Sequence, residues 1–292
     1  MHRLAATLLL FATSLASATS ATVSVTDDGG TVITLKATAA RIISVAPHTT
    51  ELVFAAGAGK AVVGVSAFSD FPAEAKHIAS VGSSAQLDLE RIISLRPDLV
   101  VAWKSGNAAR QIARLRQLGI PVFESEPRDF ETIATNIERL AVLAGTNTQG
   151  KLAANTFRQQ LAALSKRYAA RTSVRAFYQI WPSPLMTLNH THLVSQALKL
   201  CGAENVFGAL PQLVPTISME SVIAADPDVI FISDERAEAG AMWQRFTQMT
   251  AVKKKNIFSV NGTLMNRAGP RILDGSAQLC EQVELVRQRR KN

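Results

Sequence analysis

Two glutamates, Glu90 and Glu220, occupy the same position in a stretch that the chain contains twice, at residues 89–102 and 219–232. In each copy the glutamate stands seven residues before a Pro-Asp pair, and an apolar run follows that pair. A polar residue precedes each copy and can cap a helix, so each glutamate is predicted in a first helical turn, where the helix dipole favours a carboxylate. The alternative is that a protein of two equivalent lobes presents one carboxylate per lobe to a partner.

Aromatic and imidazole side chains follow several predicted strands. His48, Phe68 and Trp103 come after strand-like runs in the first half, and Trp181 does so in the second half. Ligands collect at the carboxyl ends of parallel strands, so we expect these side chains to line one cleft. Flat apolar groups with few convergent charges suit a large, partly hydrophobic small molecule that is bound without turnover. Core packing of Phe68 and Trp103 is the alternative.

Signals for other chemistry are sparse. The chain has no Gly-rich phosphate loop, no nucleophile elbow and no zincin helix. His190 and His192 form the one close histidine pair, but no nearby cysteine or dense acidic cluster completes a metal site, so we predict a loop there. An enzyme that acts on a metal chelate is a further alternative, although no acid–base pair is evident in the predicted cleft loops.

Alternating strand and helix patterns in both halves predict an α/β fold with mainly parallel sheets. One helix is predicted over 130–144 and a longer one over about 148–170. A helix of that length spans roughly 30 Å, enough to bridge two lobes. We therefore divide the chain into an N-terminal lobe at 22–146, a linker helix at 147–171 and a C-terminal lobe at 172–292.

Local signals predict several details within the lobes. Residues 23–36 predict a hairpin, and each repeated stretch predicts a short helix, a turn containing Pro and a buried strand. Thr49 or Thr50 is predicted to cap the first helix, and a single helix is predicted over 240–250.

Residues 1–21 have the pattern of a secretory signal, with a basic start, an apolar run and small residues for cleavage. No later stretch approaches the roughly twenty apolar residues of a membrane span, so the mature chain is expected to be exported and soluble. The two cysteines, Cys201 and Cys280, are then expected to form a disulfide inside the second half.

The formal net charge of +8 is unevenly distributed, with basic clusters at 253–255 and 287–291. A solvated basic tail is the expected form of the second cluster. Since no aromatic residues alternate with the basic ones and no nucleic-acid motif is present, we predict no nucleic-acid partner.

A set of segments spread over nearly all of the predicted mature chain forms a recognisable pattern. They include Arg41-Ile-Ile-Ser-Val-Ala-Pro, Ser69-Asp-Phe-Pro, Leu89-Glu-Arg-Ile-Ile, Pro97-Asp-Leu-Val-Val-Ala-Trp, Cys201-Gly-Ala-Glu-Asn-Val-Phe and Arg267-Ala-Gly-Pro-Arg. Together these segments closely resemble the periplasmic cobalamin (vitamin B12)-binding proteins of ABC importers.

The resemblance implies two Rossmann-like lobes joined by one long helix, in a periplasmic monomer without catalytic cofactors. It implies that the ligand is a corrinoid, vitamin B12 or cobinamide, which is delivered to an ABC transporter in the inner membrane. Glu90 and Glu220 would dock onto arginines of the permease dimer, one per lobe. Cys201 and Cys280 would form the family's disulfide.

The pocket resembles the family pattern only in part. Trp103 and Arg267 are retained, whereas Phe68 replaces a tyrosine and Trp181 replaces a glycine. Three tryptophans of the pattern are replaced by Ser84, Val214 and Leu264. The predicted ligand-binding residues are His48, Phe68, Trp103, Trp181 and Arg267. Because of the replacements, the ligand could also be another corrinoid or another chelate.

The nearest alternative is a haem- or ferric-siderophore-binding protein of the same fold. Siderophore capture commonly uses several cationic side chains, and this predicted cleft offers mainly Arg267. Haem needs an axial ligand, for which His48 and Tyr178 are the candidates.

Overall fold

The computed structural model describes residues 22–168, 170–233 and 240–291, and the predicted secretory signal at 1–21 lies outside them. Two four-stranded parallel sheets, each with helices packed around it, confirm the predicted α/β fold of two lobes. Throughout the described part of the chain, no helix combines the length and the hydrophobicity needed to cross a membrane.

The N-terminal lobe begins with an antiparallel hairpin and continues into a parallel sheet. Its strands are β1 Val23–Thr26 and β2 Val32–Leu35 in the hairpin, then β3 Ile42–Ser44, β4 Val62–Val65, β5 Leu99–Trp103 and β6 Val122–Ser125 in the sheet. Its helices are α1 Pro47–Ala55, α2 Leu89–Ser94, α3 Ala109–Gln117 and α4 Phe130–Ala144, with 3₁₀ turns at Gly59–Ala61 and Ala73–His77. The sheet order is β4-β3-β5-β6, so the connections leave β3 and β5 in opposite directions. A ligand cleft is expected at that switch point.

The C-terminal lobe repeats this arrangement. Its strands are β7 Val174–Gln179, β8 Trp181–Pro182, β9 Leu185–Met186, β10 Ala203–Asn205, β11 Val229–Ile232 and β12 Ile257–Ser259. Its helices are α6 Leu193–Leu200, α7 Met219–Ala225, α8 Ala241–Gln244, α9 Thr250–Lys253, α10 Gly262–Met265 and α11 Ile272–Lys291. The parallel sheet has the order β10-β7-β11-β12, which matches the N-terminal order strand for strand.

A long helix, α5 Asn147–Tyr168, joins the lobes and spans roughly 33 Å at the usual rise per residue. It packs closely on α4, because Gly150 has no side chain. A Cβ at this position would overlap Ala141 on α4. It also contacts α1 in the N-terminal lobe and α6 and α11 in the C-terminal lobe. Since Phe157 on α5 belongs to a buried cluster with residues of both lobes, the helix is a packed connector.

The repeated stretch of sequence folds into the same turn in both lobes. The Asp98 carboxylate accepts a hydrogen bond from the backbone N–H of Arg41, whose guanidinium donates to a carbonyl just beyond α2. Asp228 and Arg175 make the equivalent contacts beside α7. Each Pro-Asp pair therefore ties the turn before β5 or β11 to the first parallel strand of its sheet.

The disulfide between Cys201 and Cys280 is present, as predicted. It joins the C-terminal end of α6 to α11 and closes a separation of 79 residues within the C-terminal lobe. Both cysteines are fully buried.

Three local features differ from the sequence-based expectations. First, Ala46 is the N-cap residue of α1, and Thr49 contributes from the third helical position, where its hydroxyl accepts from the Ala46 N–H at 3.2 Å. The Thr49 and Thr50 hydroxyls also donate to the Ala46 carbonyl. Second, the single helix predicted over 240–250 is two short helices, α8 and α9, separated by a turn. Third, the β8–β9 hairpin was not predicted, because two-residue strands carry no periodic signal.

The prediction of a solvated basic tail is wrong, because these arginines belong to α11 and bond to the lobe. Arg287 is buried, and its guanidinium donates to the carbonyls of Thr172 and Cys201 at 2.7 Å each. Arg289 donates to the Lys255 carbonyl. The arginines thus satisfy carbonyl groups at the ends of other elements.

Candidate functional site

Loops that follow the strands of the two sheets contact one another at the place where a ligand cleft is predicted. Arg267, which precedes α11, donates to the carboxylates of Glu51 and Asp70 and to the carbonyl of Phe68, all in the N-terminal lobe. A second contact joins the Gln196 amide on α6 to a carbonyl just before α4. The lobes therefore touch on both sides of the loops that carry the predicted ligand contacts.

Trp103 lies at the end of β5 and is half-buried. Its ring covers Gly106 so closely that a Cβ there would overlap the indole. The side-chain oxygen of Asn107 accepts from the Trp103 N–H at 2.6 Å, and its amide donates to the carbonyls of Val45 and Ser84 at 2.9 and 2.6 Å. Gly106 leaves room for the indole and Asn107 holds the Trp103 backbone, and neither was among the predicted site residues.

His48 lies in the first turn of α1, and its ring meets the Trp103 ring edge-on with centroids 5.4 Å apart. The residue is only 5% exposed, and its Nε2 atom has no hydrogen-bond partner. Burial lowers the pKa of His48 to about 4, and the charges of Asp28 and Arg267 have smaller, opposing effects. The imidazole is therefore neutral at pH 7.

Phe68, in the loop after β4, and Trp181, in the short strand β8, lie on the surface with 80% and 57% of their areas exposed. Phe68 has a positive φ of 64°, which is unusual for a bulky residue, and the bond from Arg267 to its carbonyl holds it there. The Trp181 indole donates to the Ser183 carbonyl at 3.0 Å. The alternative prediction that Phe68 packs in the core is thus wrong. Both rings are available for contact with another molecule.

A buried ion cluster underlies this rim. Glu51 accepts from Arg271 at 3.0 and 2.5 Å and from Arg267 at 3.2 Å. The hydrogen bond from Arg267, at 2.6 Å, is the main cause that lowers the pKa of Asp70. The Arg271 guanidinium also lies 4.0 Å from the centroid of the Phe71 ring, a cation–π contact.

Sequence reasoning identified Arg267 but missed the roles of Glu51, Asp70 and Arg271. Some 200 residues separate the acidic members from the basic ones, as in the spacing of 220 between Glu51 and Arg271. The one available signal was that Asp70 and Arg271 lie in segments that carry the family resemblance.

The histidine pair and Tyr178 have structural surroundings. His192 caps α6 through its Nδ1 atom, which accepts from the Val194 N–H at 3.1 Å, and burial lowers the pKa of His192 to about 4. His190 bonds the Gly208 carbonyl through Nδ1. Tyr178 is fully buried in β7, so its phenol is not accessible to a ligand, and burial raises its pKa to about 12. Among the residues described, no three potential metal ligands cluster.

Glu90 and Glu220 are exposed in the first turns of α2 and α7, as predicted. The caps are also as predicted, since Asp88 accepts from the Arg91 N–H at 2.9 Å and Ser218 accepts from its equivalent at 3.2 Å. Hydrogen bonds from its own backbone N–H and from Ser218 lower the pKa of Glu220. Because α2 and α7 run antiparallel to the strands that follow them, both carboxylates lie at the cleft end of their lobes.

The family model for periplasmic binding proteins matches residues 42–263. The vitamin B12-binding protein of Vibrio cholerae is 37% identical over 249 residues, which cover 85% of this chain and 90% of the relative. The vitamin B12-binding protein of Yersinia pestis is 38% identical over 255 residues, which cover 87% of this chain and 90% of the relative.

Solved structures have the same fold. The crystal structure of the periplasmic vitamin B12 binding protein of Vibrio cholerae superposes with a TM-score of 0.80 at 37% identity, covering 85% of this chain and 98% of that one. A periplasmic haem-binding protein of Vibrio cholerae gives a TM-score of 0.74 at 21% identity, covering 83% of this chain and 98% of that one. The second likeness concerns the fold alone.

Proposed function

The chain belongs to the periplasmic binding protein family, and on this premise we propose that it captures a corrinoid in the cleft and delivers it to an inner-membrane ABC transporter. The corrinoid is vitamin B12 or cobinamide. The observation that carries this proposal is the similarity to relatives named for vitamin B12 over most of the chain. Members of the family bind their ligands, so no turnover is expected.

The proposed ligand contacts divide into faces and edges. Trp103, Phe68 and Trp181 offer flat apolar surfaces for a macrocycle, and Arg267 offers donors for acceptor groups on its periphery. His48 lies against Trp103 and is mostly covered, so it supports the aromatic wall and meets a ligand only through its edge. Residues 22–146 and 172–292 form the two lobes on this proposal, joined through the linker at 147–171.

Equilibrium titration with cyanocobalamin and cobinamide tests the ligand, with the mature chain and absorbance or calorimetry as the readout. Trp103→Ala and Trp181→Ala should each weaken binding by about tenfold or more, because a large ring loses its contact. Leu152→Ala is the matched control, since Leu152 is an exposed apolar residue on α5 with 69% of its area accessible. Absence of binding to either corrinoid would refute the proposal.

We further propose that Glu90 and Glu220 dock onto arginines of a permease dimer. Their equivalent places in two matching turns, their exposure and their position at the cleft end support this role. Charged pairs across an interface fix orientation and accelerate encounter. The alternative is that each carboxylate only complements its helix dipole.

Transport assays separate these two roles. The double variant Glu90→Ala/Glu220→Ala should bind corrinoid with unchanged affinity but fail to support uptake by the permease in proteoliposomes. Glu281→Ala removes an exposed glutamate from α11 and serves as the control. Normal uptake by the double variant would mean that both glutamates only complement their helix dipoles.

Haem is the second candidate ligand, because the neutral His48 has an unpaired Nε2 atom beside the cleft. Haemin titration distinguishes it from a corrinoid, since the two have different absorption spectra. A haem complex whose axial ligation is lost in His48→Ala would favour this candidate.

A further inference from the structure

A carboxylate in the N-terminal lobe is shared by two arginines of the C-terminal lobe. The Glu51 side chain on α1 is only 2% exposed, yet it accepts three hydrogen bonds from Arg267 and Arg271. These arginines precede α11, so every one of these bonds crosses from one lobe to the other. Removing one member of a buried charge pair leaves the other uncompensated, so the cluster resists opening.

The contacts of Arg267 differ in how easily they are exchanged. Its Nη1 atom donates to the buried Glu51 and to Asp70, whose side chain is 49% exposed, while Nη2 donates to the Phe68 carbonyl. Exposed ion pairs contribute little to stability because water replaces them at small cost. Asp70 and the Phe68 carbonyl are therefore the partners that an incoming acceptor can displace, whereas Glu51 stays in place.

We propose that Glu51 is a positioning residue that sets the width of the cleft and orients the Arg267 guanidinium towards the ligand, and that Asp70 competes with the ligand for this guanidinium. This inference rests on the proposed function and deepens it, because it names an acceptor oxygen of the ligand, in an amide or phosphate group, as the group that Arg267 recognises. Arg271, stacked on Phe71, anchors the second side of Glu51.

Two isosteric variants should change ligand affinity in opposite directions. Asp70→Asn removes the competing charge, so cyanocobalamin should bind about two- to tenfold more tightly. Glu51→Gln weakens the hold on both arginines, so binding should weaken by about tenfold or more. A role in stability alone would not produce a gain in affinity in Asp70→Asn.

The control variant removes a carboxylate that also accepts three hydrogen bonds from an arginine but has none from Arg267 or Arg271. Glu131 on α4 accepts from the Arg158 guanidinium on α5 at 3.0 and 2.5 Å. Glu131→Gln should leave corrinoid affinity unchanged. If Glu51→Gln does not fold, as judged by circular dichroism, Asp70→Asn still tests the competition for Arg267, because the Asp70 side chain is 49% exposed and Arg267 keeps its bonds to Glu51 and to the Phe68 carbonyl.

The width of the cleft is measured without ligand. Spin labels on Arg91→Cys and Ser221→Cys, exposed on α2 and α7, report the inter-lobe distance by pulsed electron resonance. Glu51→Gln should lengthen or broaden that distance, and Glu131→Gln should not. Unchanged distance and unchanged affinity in folded Glu51→Gln, or equal or weaker binding in Asp70→Asn, would overturn the inference. A wild-type chain that binds no corrinoid defeats the proposed function, while the distance measurement still tests the role of Glu51.

Discussion

Replacing His48 by a residue that does not titrate should make the protein less sensitive to mild acid. The buried imidazole has a pKa of about 4, against the ordinary value of 6.5 that it regains on unfolding. Between these values the unfolded chain binds a proton that the folded chain excludes. The free energy of unfolding therefore falls as the pH drops from 6.5 towards 4, and this contribution to stability is fully present only above pH 6.5.

The two pKa values of His48 set the size of the effect. For one group with these pKa values, the free energy of unfolding falls by about 2 kcal/mol between roughly pH 7.5 and pH 5. At lower pH the total fall reaches about 3 kcal/mol. His192, the cap of α6, has the same pKa of about 4 and adds a similar loss. The wild-type chain should thus lose about 4 kcal/mol from the two histidines, and His48→Gln about half of that.

Urea unfolding followed by tryptophan fluorescence at several pH values between 7.5 and 5 measures this difference. The slope of stability against pH is compared, so any loss that His48→Gln causes at every pH does not affect the result. His77→Gln, at an exposed histidine, is the control and should keep the wild-type slope. A His48→Gln slope equal to that of the wild type would refute the reasoning, because it would mean that the folded protein accepts the proton.

Three further predictions concern covalent and steric constraints. Reduction of the Cys201–Cys280 bond should lower the free energy of unfolding by up to about 4 kcal/mol in urea titrations with reductant, and reactive thiols in the unreduced protein would contradict the pairing. Gly106→Ala should displace the Trp103 ring and weaken corrinoid binding about tenfold in equilibrium titrations, and unchanged affinity would show that the orientation of the ring is unimportant. Gly150→Val should separate α5 from α4 and cost roughly 1–3 kcal/mol in urea unfolding, and a neutral effect would mean that the helices adjust freely.

The features that the sequence predicts well depend on neighbouring residues. The short helix, proline-containing turn and buried strand around Glu90 and Glu220 could be predicted because capping residue, proline and apolar run are adjacent in the chain. The long α5 helix could be predicted because an apolar face repeats along it. The disulfide could be predicted because an exported chain with two cysteines has one pairing.

The features that could not be predicted depend on contacts between distant segments. The bonds of Glu51 to Arg271 join residues 220 positions apart, and no local pattern distinguishes this glutamate from an ordinary helical one. Arg287 resembled a tail residue because its carbonyl partners, at Thr172 and Cys201, lie far back in the chain. The contact of Trp103 with Gly106 is local, but it lies in a loop without hydrophobic periodicity, so the sequence predicted only the loop.

The location of the disulfide also constrains how the protein matures. The bond joins α6 to α11, and the sequence contains no other cysteine. A chain with one possible internal pairing needs an oxidase but no disulfide isomerase, since there is no scrambled form to correct. The N-terminal lobe and α5 precede Cys201 in the chain, so the bond leaves them outside the loop that it closes. A faulty disulfide is therefore always intermolecular, and burial of both sulfurs once α6 and α11 pack removes the route to it.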